Sequence, residues 1–253
     1  MNQLGMNPSP FTARLQFSRY LETSKLPSAP ISVNWTKVVG NNFAMLGNDT
    51  VGDCVPAGQL HMAQCWIANA SGKVVLPTTA DAIQLYNREA AYNPNNPATD
   101  LGCDPLTALN FWRIIGVPIG GARHKIEAFA QVNLSNAHEL QSALWLFGGL
   151  FTGWMLPASA QGQSVWSVPA SGPVGPGAPG SWGGHLAPLA VDEFGRYGVI
   201  SWGGIIPVTP GFVTAYAAPG EIWAVISSEW IEKNGKTPTG LNLAQLKADL
   251  SVL

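Results

Sequence analysis

Charged residues are scarce in this sequence. Only 11% of the 253 residues are charged, and the formal net charge is −2. A nucleic-acid-binding surface concentrates Lys and Arg, so the missing basic excess argues against a nucleic-acid partner. The hydrophobic fraction of 46% instead predicts a well-buried core beneath a mildly polar surface.

Long apolar runs are also missing. The longest, around residues 143–156, is interrupted by Gly148 and Gly149, so it is too short to span a bilayer. The opening MNQLGMNPSP lacks the basic-then-apolar pattern of a secretion signal. The sequence therefore predicts no membrane partner, and a protein that is cytoplasmic, associated with a particle, or exported without such a signal.

Cysteines are few, and their number is odd. Cys54, Cys65 and Cys103 leave at least one thiol free, and a bridge between Cys65 and Cys103 stays open without being indicated. No Cys-x-x-Cys pair or tight histidine cluster favours zinc. We therefore expect neither a metal nor a cofactor.

Helical patterns dominate the first 150 residues, and strand patterns follow. Capping residues and glycine stops predict four helices, short apolar runs predict four strands, and the C-terminal segment predicts a last amphipathic helix or a tail. The helices are expected at 55–70, 79–91, 104–116 and 136–147, the strands at 150–156, 185–192, 197–202 and 221–227, and the last helix at 242–253. This order predicts an α+β fold.

Two segments lack a sustained period. Residues 1–25 predict an arm, with a short helix over 14–23, that packs on its own domain or on a neighbour. The remainder, 26–253, is expected to form one domain with a helical lobe over 26–150 and a β-rich lobe over 151–253. Residues 157–184 are dense in Gly, Pro and Ser and predict a surface loop that borders a site and buries little apolar surface.

The ten tryptophans either line a groove or fill a core.

Cys54 is the first candidate for chemistry. It follows a glycine-containing turn and precedes a run of helix formers, with Pro56 near the first turn. A thiol at a helix N-terminus feels the positive end of the dipole, which favours the nucleophilic thiolate. The charge of Asp53 opposes that effect. Because a lone cysteine is more often a small buried apolar residue, Cys54 needs partners elsewhere in the chain.

His185 is the candidate partner. A histidine can take the proton that a cysteine nucleophile loses, because its pKa lies near neutrality. His185 follows Ser-Trp-Gly-Gly and begins a predicted strand, which would hold it rigidly. His61 and His138 lie in predicted helices and His124 in a predicted loop after two glycines, so structural roles are expected for these three.

The segment before Cys54 resembles the papain-like cysteine peptidases. LPSAPISVNWTK is similar to the start of their mature domain, with Trp35 and Lys37 as the family's Trp-Arg/Lys pair. Asn48 lies six positions before Cys54, where the family has the glutamine of its oxyanion hole. Gly52 matches the family glycine two positions before the nucleophile.

The second half carries the same resemblance. HLAPLAVDEFGRYGVISWGG is similar to the family's histidine strand, hairpin and Ser-Trp-Gly segment, here Ser201, Trp202 and Gly203. The resemblance covers about residues 26–227. It implies a papain-like fold, with a helical N-terminal lobe, an antiparallel β C-terminal lobe and a cleft between them.

The resemblance also implies roles for named residues and a peptide or protein substrate. Cys54 would attack a carbonyl carbon, and His185 would carry the proton. The Cys54 N–H and Asn48 would hold the oxyanion, Ser201 would orient His185, and Trp202 would shield that contact from water. We expect Cys54 and His185 within or near hydrogen-bond reach; two side chains on opposite faces, or both deeply buried, would end the enzymatic interpretation. Cys65 should be buried and inert.

The departures from the family pattern leave the function open. Val55 replaces the usual Trp, Asn48 replaces Gln, and Ile200 stands where the family has the Asn that orients the histidine. Ser201 falls at the expected distance from His185 and takes that place. The sequence thus favours a cysteine hydrolase, with two alternatives: an inactive papain-like structural or binding protein of an assembly such as a virion, joined through the arm, or a peptidoglycan amidase.

Overall fold

A computed structural model of the chain describes residues 2–9, 15–21, 28–227 and 242–250. Parts of the arm and of the C-terminal segment, and the ends of the short helix predicted over 14–23, lie outside these residues. Within that helix, the described part is a 3-10 turn at Phe17–Arg19.

Six α-helices occur in the described part of the chain. They are α1 (Cys54–Ser71), α2 (Thr79–Ala90), α3 (Pro105–Ile114), α4 (Ala137–Leu146), α5 (Pro210–Tyr216) and α6 (Leu243–Leu250). The first four and the last lie where the sequence predicts them, whereas α5 was not predicted.

The helix ends follow the predicted capping chemistry. Thr78 and Asp81 form a reciprocal capping box at the start of α2. Asp104 and Asn136 accept backbone N–H groups at the starts of α3 and α4. Gly72 ends α1 with φ 72°, a left-handed value that glycine adopts without strain.

Ten strands form three sheets among the described residues. They are β1 (Val33–Asn34), β2 (Val117–Ile119), β3 (Ala122–His124), β4 (Ile126–Gln131), β5 (Phe151–Leu156), β6 (Gly183–Leu186), β7 (Leu189–Glu193), β8 (Arg196–Ser201), β9 (Gly204–Val208) and β10 (Ala217–Ser227). One sheet has the order β1-β7-β8-β9, a second has β4-β10-β5-β6, and β2 pairs with β3. All strand pairs are antiparallel.

The predicted strand over 185–192 is wrong as a single element. It splits into the end of β6 and most of β7, which belong to different sheets. Pro188 lies at the break, because proline has no N–H to continue a ladder. The predicted hairpin survives as β7 and β8, and its tip places Phe194 and Gly195 at φ 54° and 72°.

Residues 117–131 form three strands, β2, β3 and β4, that the sequence did not predict. β4 pairs with β10, and β1, which lies in a stretch whose sequence predicts extended chain up to Trp35, pairs with β7, so both join sheets built mainly from later residues. The sequence of β4, IEAFAQ, has several helix formers, and long-range pairing overrides that preference. His124, predicted in a loop, is the last residue of β3.

Tryptophans fill much of the core. Five of those in the described part of the chain are fully buried: Trp66, Trp112, Trp154, Trp166 and Trp223. Trp166 comes from the segment predicted to bury little apolar surface, and it packs on Trp154 and Phe212 at ring-centroid distances of 6.3 and 5.4 Å. That prediction is therefore wrong at Trp166, because an irregular segment can still insert one large aromatic ring.

Leu106, Leu109, Trp112 and Ile115 have a helical spacing that predicts one apolar face of α3, and the structure buries part of that face. Leu109 and Trp112 are buried, Leu106 is half-buried, and Ile115 is 39% exposed because α3 ends just before it. More important for the site, α1 packs against β5, β6 and β8. This packing brings the start of α1 close to β6, which carries His185.

Candidate functional site

Cys54 is the first residue of α1 and is 1% exposed. Its position at the helix start agrees with the prediction. The backbone N–H of Leu186 on β6 donates to Cys54 Sγ at 3.4 Å. The residue that follows His185 therefore touches the candidate nucleophile, although the two lie far apart in sequence.

His185 lies on β6 opposite Trp154 of β5 and is fully buried. Its Nε2 lies 2.7 Å from Ser201 Oγ at the end of β8. Its Nδ1 is buried without a hydrogen-bond partner among the described residues. The ring thus has one nitrogen held by a hydroxyl group and one available for proton transfer.

Trp202 covers the face of that imidazole. The two ring centroids are 4.4 Å apart, with the ring planes 23° from parallel. Trp202 adopts φ 46°, which is unfavourable for a bulky residue. Packing on His185, Trp166 and Trp182 holds it there. The indole therefore shields the contact between His185 and Ser201, as the sequence comparison implied.

No hydrogen bond joins Cys54 to His185 among the bonds described, and both side chains are buried. Burial raises the pKa of Cys54 to about 12, with the Leu186 N–H the chief opposing influence. Burial also lowers the pKa of His185 to about 3. Both groups are therefore neutral at pH 7, and the site as it stands is closed. Deep burial of both side chains is the outcome that was expected to speak against catalysis.

The cover consists partly of the protein's own residues 2–9, which we call the strap. Gln3 N–H donates to the Asn48 carbonyl at 3.0 Å, and Met6 N–H donates to the Gly184 carbonyl at 3.2 Å. Met6 also forms a parallel bridge with Cys103. This part of the predicted arm therefore packs on its own domain, between β6 and the segment before α3.

Asn48 is buried beside Cys54, and both line one small pocket with Ser201 and Trp202. The Asn48 Nδ2 donates to the Val51 carbonyl at 3.2 Å. One of its two amide protons is thus used within the loop. The structure brings all four predicted site residues, Cys54, His185, Ser201 and Asn48, into one region.

The sequence did not reveal the protonation state of Asp53. It is fully buried, and neither carboxyl oxygen has a hydrogen-bond partner in the described part of the chain. Burial raises the pKa of Asp53 to about 8, with smaller contributions in the same direction from Asp100 and Asp49 and an opposing influence from the Asn48 side chain. The carboxyl is therefore mainly neutral at pH 7, which weakens the repulsion expected between Asp53 and a Cys54 thiolate.

The other cysteines and histidines have structural surroundings. All three cysteines are free, so the bridge between Cys65 and Cys103 does not form. Cys65 is buried on α1, and burial raises its pKa. His61 is buried with Nε2 3.0 Å from the Ala44 carbonyl, and burial lowers its pKa to about 4. His138 is exposed on α4.

The described ranges contain neither a metal-binding cluster nor a membrane-crossing helix. No cluster of three or more His, Cys, Asp or Glu side chains there has the arrangement of a metal site. None of the helices in the same ranges is long and apolar enough to cross a membrane.

Comparison with known proteins identifies the architecture. No protein-family model and no curated protein matches the sequence. Xylellain, a cysteine protease from Xylella fastidiosa, superposes with a TM-score of 0.66 at 14% identity, covering 89% of this chain and 96% of the other. The chain has a papain-like fold. Procathepsin B S9 from Trypanosoma congolense superposes with a TM-score of 0.60 at 10% identity, covering 89% and 86%.

A third solved structure agrees with this architecture. Procathepsin L 3 from the larval midgut of Tenebrio molitor has a TM-score of 0.55 at 13% identity, covering 85% of this chain and 75% of the other. Likeness at these identities shows the papain-like fold alone, so the chemistry has to be argued from this chain's residues. The predicted α+β class is confirmed, and the predicted lobe boundary near residue 150 stays a prediction.

Proposed function

We propose that this protein is a cysteine-dependent hydrolase that cleaves peptide or amide bonds. One observation carries the proposal: the Cys54 sulfur, at the start of α1, contacts Leu186 N–H, and the adjacent His185 has Nε2 bonded to Ser201 and Nδ1 free. A nucleophile, a base and a group that orients the base are the components of such a site.

The chemistry follows from that arrangement. His185 Nδ1 takes the Cys54 thiol proton, and the sulfur forms a bond to the substrate carbonyl carbon. The Cys54 backbone N–H stabilises the resulting oxyanion, and Asn48 is the candidate for a second donor. The tetrahedral intermediate then expels the amine, which takes the proton from His185. Water hydrolyses the thioester and regenerates the thiol.

Ser201 would hold the imidazole in one tautomer. With Nδ1 accepting the thiol proton, Nε2 carries its own proton and donates it to Ser201 Oγ at 2.7 Å. A serine hydroxyl accepts this bond less firmly than an amide oxygen, since it can rotate. Packing of Trp202 on the ring supplies additional restraint.

The experiment combines a thiol-reactive peptide electrophile with a fluorogenic peptide library under reducing conditions. We expect covalent labelling of Cys54, and hydrolysis that Cys54→Ala abolishes. Hydrolysis that persists in Cys54→Ala would refute the assigned nucleophile.

The alternative is a papain-like binding protein without catalysis, and the deep burial of Cys54 and His185 favours it. Absence of hydrolysis by the wild type, together with a Cys54 that the electrophile fails to label, would support this alternative. No described feature favours a peptidoglycan amidase. A peptide or protein substrate belongs to the proposed hydrolase, whereas assembly through the arm belongs to the alternative.

A further inference from the structure

A second cavity lies between the end of β4, the middle of β10 and α5. Its volume is about 460 Å³, which is within the range of small-molecule sites in proteins. Among the described residues, none that lines this cavity also lines the small pocket at Cys54. The cavity is therefore separate from the candidate catalytic site.

An irregularity in β10 forms one wall of the cavity. β10 advances from Ala217 to Ile222 while its partner β5 advances only from Trp154 to Thr152, so β10 contains extra residues at this point. The extra length includes residues 218–220, which line the cavity. A bulge of this kind bends a strand and is common beside functional sites. The space is therefore opened by the strand itself.

A chain of hydrogen bonds fixes the polar side of the cavity. The Gly220 carbonyl can only accept, so the amide of Gln131, which is 2% exposed, donates its Nε2–H to it at 2.8 Å. Gln131 Oε1 then accepts a hydrogen bond from Gln16 Nε2 at 2.5 Å. Gln16 keeps its Oε1 and one N–H, neither of which bonds to another side chain in the described part of the protein. The Gln16 amide therefore offers one acceptor and one donor side by side.

The remaining walls of the cavity are mostly apolar. They include Val132, Leu134, Met155, Pro179 and Ile222. No charged side chain lines the cavity in the described ranges, so an ion that entered it would lose its hydration without gaining a partner. A thioether makes favourable contacts with aromatic rings. These walls favour a neutral ring over a charged molecule.

We propose that this cavity binds a small neutral molecule that carries a planar aromatic ring and a carboxamide group. The N–H of that carboxamide donates to Gln16 Oε1, its carbonyl accepts the free Gln16 N–H, and its ring lies against Met155. The proposal goes beyond the hydrolase and does not rest on it, because it involves neither Cys54 nor His185.

The test is a titration of the full-length protein with benzamide, followed by NMR of isotope-labelled methionine methyl groups. A bound aromatic ring shifts the resonance of a nearby methyl, so the Met155 resonance, assigned with Met155→Leu, should move in a saturable manner. A Kd on the order of 1 mM is expected for so small a ligand. The methyl of Met62, which is 1% exposed in the core, should stay in place. A Met155 resonance that does not move would overturn the proposal.

Benzoate tests the class of ligand. It has the shape of benzamide but carries a charge, and the cavity has no charged side chain to pair with it among the described residues. It should therefore bind at least about 10-fold more weakly than benzamide. Equal affinities for the two molecules would contradict a site for neutral amides.

Two variants place the binding in this cavity. Ala215→Leu fills the cavity from α5 and should abolish the shift of Met155. Ala90→Leu is the matched control, because both alanines are partly buried helix residues packed against the core and only Ala215 lines the cavity. Undiminished binding in Ala215→Leu, or equal losses in both variants, would overturn the proposal.

Gln16→Leu tests the polar contact independently. It removes the free donor and acceptor, so benzamide should bind about 5- to 10-fold more weakly, which is the effect of losing one hydrogen bond. Unchanged affinity in Gln16→Leu would refute the assigned role of this amide.

Discussion

At the scale of single residues, burial changes the charge state of Asp53. In sequence it is an acid that opposes a neighbouring thiolate. In the structure its carboxyl has no hydrogen-bond partner among the described residues, and burial raises its pKa to about 8. The protonated form is therefore favoured by folding, and the charged form costs stability.

Asp53→Asn should change the pH dependence of stability. The wild-type carboxyl contributes stability that is complete below pH 3.8 and is lost as pH rises through about 8. The variant lacks this titration. The free energy of unfolding of the variant, relative to that of the wild type, should therefore increase as the pH rises from 5 to 9, by at most about 5 kcal/mol. Urea unfolding at several pH values measures the difference.

Asn41→Ala, an exposed change ahead of the same loop that alters no charge, is the control and should follow the wild-type curve. A constant difference between Asp53→Asn and wild type across this pH range would show that Asp53 does not titrate as described.

Ser201→Ala tests the orientation of His185. It removes the hydroxyl group 2.7 Å from Nε2. Turnover by enzyme from whose groove the strap has been released should therefore fall about 10- to 100-fold, with little change in KM. Ser201 is only 5% exposed, so the low stability cost expected of a surface hydroxyl does not apply. Leaving a buried imidazole nitrogen unpaired should cost about 1–3 kcal/mol.

Steady-state kinetics and thermal unfolding of the same samples separate the two effects. Ser135→Ala, an exposed serine, is the matched control. Unchanged turnover in Ser201→Ala at intact stability would remove Ser201 from the site.

At the scale of elements, helix ends and strand ends place the site. α1 begins at Cys54, β6 carries His185 and β8 ends at Ser201. Each side chain thus projects from the terminus or edge of a regular element, which fixes its backbone. The loop before α1 supplies Asn48 and Asp53, whose positions depend on burial and not on a regular ladder.

Gly72→Ala should weaken α1 at its C-terminal end. A Cβ at Gly72 meets open space, so the only cost is the left-handed backbone at φ 72°. The free energy of unfolding should fall by about 1 kcal/mol. Gly162→Ala, also in open space but without a positive φ, should change it by less. Denaturant titration of both variants decides this, and equal effects would contradict the cap assignment.

At the scale of the whole molecule, one segment of the chain closes a site built by others. The sheets combine early and late strands, so α1, β6 and β8 meet through long-range contacts. The strap then crosses the meeting point and bonds to residues before α1, before α3 and on β6. Access to Cys54 is accordingly a property of the assembled domain.

Cys65 provides a whole-molecule readout. It is buried in the core side of α1 and should be alkylated only when the domain unfolds. In a urea series, its labelling should therefore follow the global unfolding curve, whereas Cys54 should be labelled below the transition through local release of the strap. Faster alkylation of Cys65 than of Cys54 in folded protein would contradict both assignments.

The sequence alone determined the features that depend on neighbours along the chain. The Thr78–Asp81 capping box, the Asp104 cap and the Gly72 stop involve contacts within a few residues, so local chemistry was sufficient. The candidate pair Cys54 and His185, with Ser201 beside it, was predicted with the help of the resemblance to the papain-like peptidases, and their catalytic roles stay predictions.

The tertiary structure decided what depends on distant partners. β4 became a strand because β10 pairs with it, despite its helix-forming residues. Asp53 became neutral because the fold buries it without a partner. The strap closed the site because its bonding partners lie at Asn48, Cys103 and Gly184, far from it in sequence. Desolvation, and main-chain pairing between residues far apart in sequence, arise only when the chain is folded. Local sequence patterns therefore do not predict them.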